Sequence, residues 1–504
     1  MHYAKTTVLL TIGAFIVSLL LLPFVPKQFF AASDRPELLV NMTLRQGSSI
    51  KASDAVSQRL DALLKDDPDI DHWSSYIGRG AVRFYLPLDE QLQNNFFAQT
   101  VIVAKNAKAR ERVRARLQKT FDEDFPSTAI GLFSLELGPP IGWPVQYRVS
   151  GKDLSQVRTI AQKVAEVMAT SPDLQNINFN WGDPARKLRI DVNQDKARQL
   201  GLSTASIAQA IDTSLSGITA TQIRDSIYLV DVVLRAQKEE RLSIENLRTL
   251  SIQLPNGKSV PLDTVASVNY AQDFPLVWCR DRMPTLSVQA STKGNIMPAT
   301  IVDGLHRKMD VLNRNLPDGY KITVGGTVEE STKSQASVIA VIPMMLLLMV
   351  AVLMVQLENI KHLALVLSVA PLGTIGVVLA LLITRQPLGF VAMLGIIALI
   401  GMIVRNSVIL VHQIEIEQHK GLSDWKAIVE ATTLRFRPIM LTAIAAMLGM
   451  VPIASTVFWG PMACAIIGGL AIATALTLIF LPSLYVVCFR IKETPSNGLQ
   501  RSIP

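Results

Sequence analysis

The sequence predicts a membrane protein, an α-helical bundle of six transmembrane helices joined to a large α+β region of β-α-β subdomains. Two observations carry this. Residues 338–488 are almost unbroken apolar sequence, enough for several spans of the roughly 20 residues that cross a bilayer. Residues 34–336 are mixed and charged, and alternate between strand and helix periods. The chain has 504 residues, 49% of them hydrophobic, and a net charge of +8. Its basic residues are spread out, with no Lys/Arg run and no basic patch interleaved with aromatics, which excludes nucleic acid as a partner. The three cysteines, Cys279, Cys464 and Cys488, form neither a disulfide framework nor a CxxC metal site.

The apolar runs place the spans at 6–25, 338–357, 361–383, 387–411, 438–457 and 461–488. The first follows Lys5 and is longer than the 7–15-residue core of a secretory signal, so we read it as a retained helix. Cleavage near the small residues of FAAS (30–33) is the alternative. The segment 412–437 carries Lys420, Lys426, Arg435 and Arg437, and the tail carries Arg490, Lys492 and Arg501. By the positive-inside rule both are cytoplasmic. Six spans then put both termini inside and 34–336 on the opposite side of the inner membrane.

Within that region ELLVNMTLR (37–45) alternates like a strand, and Ala52, Val56, Leu60 and Leu63 follow at helical spacing. VRFYLPL (82–88) and QTVIVA (99–104) read as strands, and 106–121 as a charged amphipathic helix. A second set begins with PVQYRVSG (144–151). Asp153 caps a helix carrying Val157, Ile160, Val164 and Met168, and INFNW (177–181) is the next strand. Its matching half comes much later, as TLSVQAS (285–291), a helix near 297–313 and YKITV (320–324). Two β-α-β halves make a split, ferredoxin-like sandwich. The stretch 188–272 between them reads as an inserted subdomain, with a tight hairpin at the Asn-Gly of LPNGKSV (254–260). Small residues in the spans (Gly373, Gly376, Gly395, Ala445, Gly449, Gly468, Gly469) suit close helix packing.

The stretch LIGMIVRNSVILV (399–411) places a permanent charge, Arg405, about six residues inside the end of its span, or roughly 9 Å. A charge at mid-bilayer costs on the order of 2.5–3.5 kcal/mol on insertion scales. Snorkelling to the interface is one explanation. The polar company of Asn406 and Ser407, with Thr442 and Arg435 seven residues apart on the next span, points instead to a buried polar network. Arginine does not titrate, and the six spans so bounded contain no Asp or Glu. The network has its cation and lacks its acid.

GMIVRNSVILVHQIE (401–415), the stretch ending RFRPIMLTAIAAMLGMVPI (435–453) and GGLAIATALTLIFLPSLYV (468–486) resemble the C-terminal half of resistance-nodulation-division (RND) efflux transporters. The type is acriflavine resistance, or hydrophobe/amphiphile efflux. SDRPELLV (33–40) and VAPLGTIGVVLALL (369–382) match as well. The resemblance implies a first transmembrane helix in 1–33 and periplasmic porter subdomains at 34–138 and at 139–187 plus 273–336. It further implies a docking subdomain at 188–272, a five-helix membrane region at 337–490 and a cytoplasmic tail at 491–504. It places Arg405 where relatives carry a lysine that answers two aspartates on the N-terminal half, with Asn406, Thr442 and Arg435 in the same proton relay. Tyr76, Ile77, Gly78, Arg79 and Gly80 match the place of a loop that lines the substrate cleft, or are a plain hairpin turn. Whole relatives are roughly twice as long, which makes this chain look like a second half.

The implied function is the C-terminal half of a proton-driven multidrug efflux permease, not an enzyme and without cofactors. It would work with a complementary N-terminal half, in a trimeric assembly with a periplasmic adaptor and an outer-membrane channel. A transport-inactive remnant of such a gene and a membrane-anchored periplasmic scaffold are the alternatives. No phosphate loop, nucleophile elbow or HExxH is present. Met42, Met168 and Met283 form no visible pair, which disfavours a copper or silver pump.

Overall fold

A computed structural model describes residues 3–26, 28–30, 33–241, 243–294 and 296–491. The cleavage-site residues Ala31 and Ala32, and the basic tail with Lys492 and Arg501, lie outside the described residues. The chain divides into two units, Met1–Asn180 with Trp278–Pro504, and Trp181–Val277.

In the first unit, strands Ile70–Ile77, Phe97–Ala104, Glu37–Thr43 and Ala129–Ser134 lie side by side in that order, all antiparallel. The helices Ile50–Leu64 and Ala107–Asp124 pack on the sheet, capped by the side chains of Ser49 and Asn106. Leu38, Val40, Met42, Ile102, Leu60 and Val113 form the shared core. A second sheet sets Leu174–Phe179, Met283–Thr292, Val145–Ser150 and Lys321–Gly325 in the same relative order. Asp153 caps its first helix, Leu154–Ala169, by accepting from the Gln156 N–H at 2.7 Å. The alternating strands and the Asp153 cap are where the sequence places them.

Three readings are corrected. Residues 82–88 form no strand; Val82 and Leu86 are exposed, and Pro87 removes a ladder donor. Phe97–Ala104 pairs with Glu37–Thr43 on one edge and with Ile70–Ile77 on the other. On the helix 50–64 the buried stripe is Ser53, Ser57, Leu60 and Leu64, and Leu63 is exposed. Segment 412–437 is helical almost throughout. The fourth membrane helix runs Phe390–His419 and the fifth Asp424–Ala454, with a turn at Gly421 (φ +89°) between them. Ala427, Ile428 and Ala431 bury one face of that extension, so the apolar run alone underestimates both helices.

Among the described residues six helices are long and apolar enough to cross a membrane: Ala4–Phe24, Gly326–Leu357, Ile360–Thr384, Phe390–His419, Asp424–Ala454 and Gly460–Phe489. The third, fourth and sixth are packed together, whereas the first, second and fifth bury little of their surface within the chain. The packed three depend on small residues. A Cβ at Gly376 would lie 2.1 Å from the Gly468 carbonyl oxygen, and one at Gly468 would lie 2.2 Å from the Ala380 Cβ. Gly449 has nothing within 4 Å of its would-be Cβ, and Ala445 is exposed, so these two face outward.

The second unit pairs Ala185–Val192 with Ala266–Asp273 and closes on Ile207, Leu247, Ile252, Leu262, Val265 and Val268. The 254–260 hairpin is present, with Gly257 at φ +82° and the Leu254 N–H donating to the Lys258 carbonyl. A ribbon of Ile218–Asp225 and Tyr228–Leu234 is exposed along its whole length.

Gly376→Ala is expected to cost about 1–3 kcal/mol through overpacking against backbone. Its thermal midpoint in detergent should fall clearly below that of Gly449→Ala, which fills open space. Scanning fluorimetry of the two purified variants checks this; equal midpoints would refute the backbone contact.

Candidate functional site

Arg405 lies on the outward stripe of the Phe390–His419 helix. Leu394, Ala398, Gly401, Arg405, Ile409 and His412 are exposed at spacings of three or four, while Leu399, Ile403, Asn406 and Leu410 turn inward. Among the described residues Arg405 makes no ion pair or hydrogen bond. Asn406 is 4% exposed, and Ser407 is fully buried, donating to the Ile403 carbonyl at 2.9 Å. Adjacent residues on a helix are about 100° apart, so Arg405 and Asn406 cannot share a face.

The four expected relay residues do not form one network within this chain. Thr442 is exposed and donates to the Pro438 and Ile439 carbonyls of its own helix, at 3.1 and 3.0 Å. Arg435 Nε donates to Gln413 Oε1 at 2.9 Å, and Gln413 Nε2 donates to Glu417 Oε1 at 2.7 Å. Lys420 Nζ reaches the same oxygen at 2.8 Å. Glu417 is 3% exposed. Arg435 therefore belongs to a chain of groups at the helix end. Its partner Gln413 is eight residues from Arg405, roughly 12 Å along the helix axis. Glu415 and Glu417 lie past residue 411, where the apolar run ends, on the continuation of the same helix.

The expected cleft segment lies in and after a strand. Tyr76 and Ile77 end a strand, paired with Gln99 and Ala98. Gly78, at φ +75°, donates to the Phe97 carbonyl and starts an excursion that returns at Asn94, whose N–H donates to the Gly78 carbonyl. None of the five lines the cavity of about 560 Å³ found in the first unit. Phe30, Phe133, Ile141, Met297 and Met393 give that cavity an apolar wall, with Glu136 and Arg114 as charged groups. Its floor is tied to the membrane helices: the Leu388 N–H donates to the Pro26 carbonyl at 2.7 Å, and Phe30 stacks on Phe458 at 5.9 Å.

Burial pushes the Glu136 carboxyl up to about 7; the nearby Asp89 charge adds to this, against a hydrogen bond from the Ile141 N–H at 3.2 Å. A signal was available in the sequence, since GPPIGWP (138–144) marks a turn and Glu136 is an acid just before it. Met42 and Met168 are fully buried in the two sandwich cores.

Because its folded-state value is raised, protonated Glu136 stabilises the fold below about 4.5, and that contribution is lost as pH rises through about 7. Glu136→Gln should therefore match the wild type at pH 4.5 and exceed it in thermal midpoint at pH 8. A constant offset across that range would contradict the buried acid.

The AcrB/AcrD/AcrF family model matches residues 1–489. The multidrug resistance protein MdtC of Pectobacterium carotovorum subsp. carotovorum (strain PC1) is 25% identical over 515 aligned positions, covering 100% of this chain and 49% of the relative. The cobalt-zinc-cadmium resistance protein CzcA of Cupriavidus metallidurans is 28% identical over 359 positions, covering 69% of this chain and 34% of the relative. A crystal structure of a heavy metal efflux pump superposes with a TM-score of 0.77 at 24% identity, over 97% of this chain and 51% of that one. The chain thus spans between about a third and about half of the length of these relatives.

Proposed function

The chain belongs to the AcrB/AcrD/AcrF family of RND transporters, and on that footing we propose that it acts as the C-terminal half of a proton-driven efflux permease for hydrophobic or amphiphilic compounds. It is a multi-pass inner-membrane protein with its α/β region in the periplasm. In the proposal, the two sandwiches are porter subdomains and the unit Trp181–Val277 contains the docking subdomain. The assembly is trimeric and meets a periplasmic adaptor and an outer-membrane channel.

One observation carries the reading. Arg405 presents a permanent charge on an outward stripe of a membrane helix that is otherwise apolar from Leu394 to Ile409, with no partner among the described residues. Against lipid that charge is costly; against carboxylates of a complementary N-terminal half it is matched. Gly401 has open space beside it, which leaves room for another helix to approach. Protonating those carboxylates would release them from Arg405, and ionising them would draw them back. Arginine stays charged throughout, so the switching lies entirely on the acids. The apolar wall of the 560 Å³ cavity supports an organic, hydrophobic cargo over a hard cation.

The test supplies a matching N-terminal half in a pump-deficient bacterium and measures proton-dependent dye efflux per molecule. Arg405→Ala should lower it at least ~10-fold with abundance near normal, since leaving a buried charge without its partner costs about 2–5 kcal/mol. Arg405→Lys should keep much of the activity. Thr442→Ala should weaken it less, because its hydroxyl serves its own helix. The chain expressed alone should leave dye accumulation unchanged. Unaltered turnover in Arg405→Ala would reject the charge-pair reading in favour of a snorkelling anchor.

A further inference from the structure

At the cytoplasmic ends of the packed helices, three of them meet on one imidazole. His362 lies in the first turn of the helix Ile360–Val369 and is 7% exposed. Its Nδ1 is 2.6 Å from Glu415 Oε1, on the Phe390–His419 helix. The Tyr485 hydroxyl, on the Gly460–Phe489 helix, is 3.2 Å from its Nε2. The imidazole stacks on the Tyr485 ring at 5.6 Å and lies 5.4 Å from the ring of Phe489. The other Glu415 oxygen is 3.4 Å from His412 Nδ1, and the His412 side chain is half-exposed.

We propose that His362 is a cytoplasm-facing proton-binding site, with Glu415 as its counter-ion, and that its proton occupancy sets how tightly the Ile360–Val369 helix is clamped to the other two. Histidine is the side chain that ordinarily titrates between pH 5 and 8. The proton comes from water at the membrane surface, through the half-exposed His412 and the partly exposed Glu415. Binding it gives an imidazolium against a carboxylate, with the rings of Tyr485 and Phe489, which stack on each other at 4.5 Å, both within 6 Å of it. Losing it leaves a neutral ring that still hydrogen-bonds Tyr485 through Nε2, while the buried Nδ1, which has no hydrogen bond of its own, loses the ion pair with Glu415, so the clamp weakens.

The other charged or titrating groups around the ring are few. The Phe390–His419 helix contributes Glu415 and His412, and the Gly460–Phe489 helix contributes Tyr485. Asp424 begins the Asp424–Ala454 helix and accepts from Gln418 Nε2 at 3.0 Å. On the helix that carries His362, Lys361 immediately precedes it, and Glu358 caps the end of the preceding helix Gly326–Leu357. Glu415 and Arg405 are ten residues apart on one helix, roughly 15 Å. Hence the clamp acts on the same rigid rod that presents Arg405, at a separate place.

The site is tested without any transport assay. In the full chain in detergent, the imidazole resonances of 15N-histidine-labelled protein are followed from pH 5.5 to 8.5. The resonance of His362 is the one missing from His362→Gln. Should that variant not fold, Tyr485→Phe identifies it by moving the resonance of the ring it contacts. Thermal midpoints are taken in parallel. We expect the His362 resonance to titrate inside this range. The midpoint of the wild type should exceed that of Glu415→Gln by about 2–4 °C at pH 6 and by less than about 1 °C at pH 8.5. The sign follows because the ion pair exists where the imidazole holds its proton and the carboxylate does not. A resonance that stays fixed across the range, or a midpoint difference independent of pH, would overturn the proposal.

Discussion

The contact of Gly376 with the Gly468 carbonyl decides what the rest of the membrane region can do. No side chain fits between the third and sixth helices there, so their backbones set the spacing and the fourth helix packs into the angle they leave. Leu399 reaches Gly469, and Ile403 reaches Gly373. Once those two leucine and isoleucine side chains are committed inward, helical geometry turns Asn406 and Leu410 inward with them and Arg405 outward. The exposed cation is thus a geometric result of glycine packing two turns away.

Burial without water also explains the polar groups that remain inside. Ser407, Thr474 and Thr477 are buried, and each donates to a carbonyl four residues earlier on its own helix. That bond satisfies the hydroxyl locally and asks nothing of a neighbouring helix. Among the described residues, the polar groups that link these helices lie at one end, where Arg435, Gln413 and Glu417 join two of them and His362, Glu415 and Tyr485 join three. Cohesion along the rods is therefore steric, and specific polar recognition is confined to the cytoplasmic side.

Much of this was legible in the residues. The strand begun at Glu37, the Asp153 cap and the Asn-Gly hairpin each rest on a local rule, and each element is present, although the strand is buried on both faces where alternation implied one. Ile70–Ile77 was missed because its exposed side is polar and its inward side contributes Ile70, Trp73 and Ile77 only through packing. The helix ends at 412–437 were missed because charge was taken as a boundary, although a helix continues through charge wherever one face stays apolar. Arg405 was found by composition, but its orientation depends on neighbours distant in sequence. The cavity and Glu136 depend on segments 28–30, 132–144, 291–299 and 327–335 coming together, which no single window contains.

The second sandwich is interrupted by a complete unit, so Leu174 pairs with Thr292 across the whole of Trp181–Val277. The first sandwich has no such interruption between Glu37 and Ser134. As the chain is synthesised, the first can close its sheet while the second still holds two strands with open edges. Long-range pairing is slow, and unpaired edges invite association. Between the emergence of Phe179 and of Met283 the nascent second sheet therefore lacks the strand that joins its two existing ones.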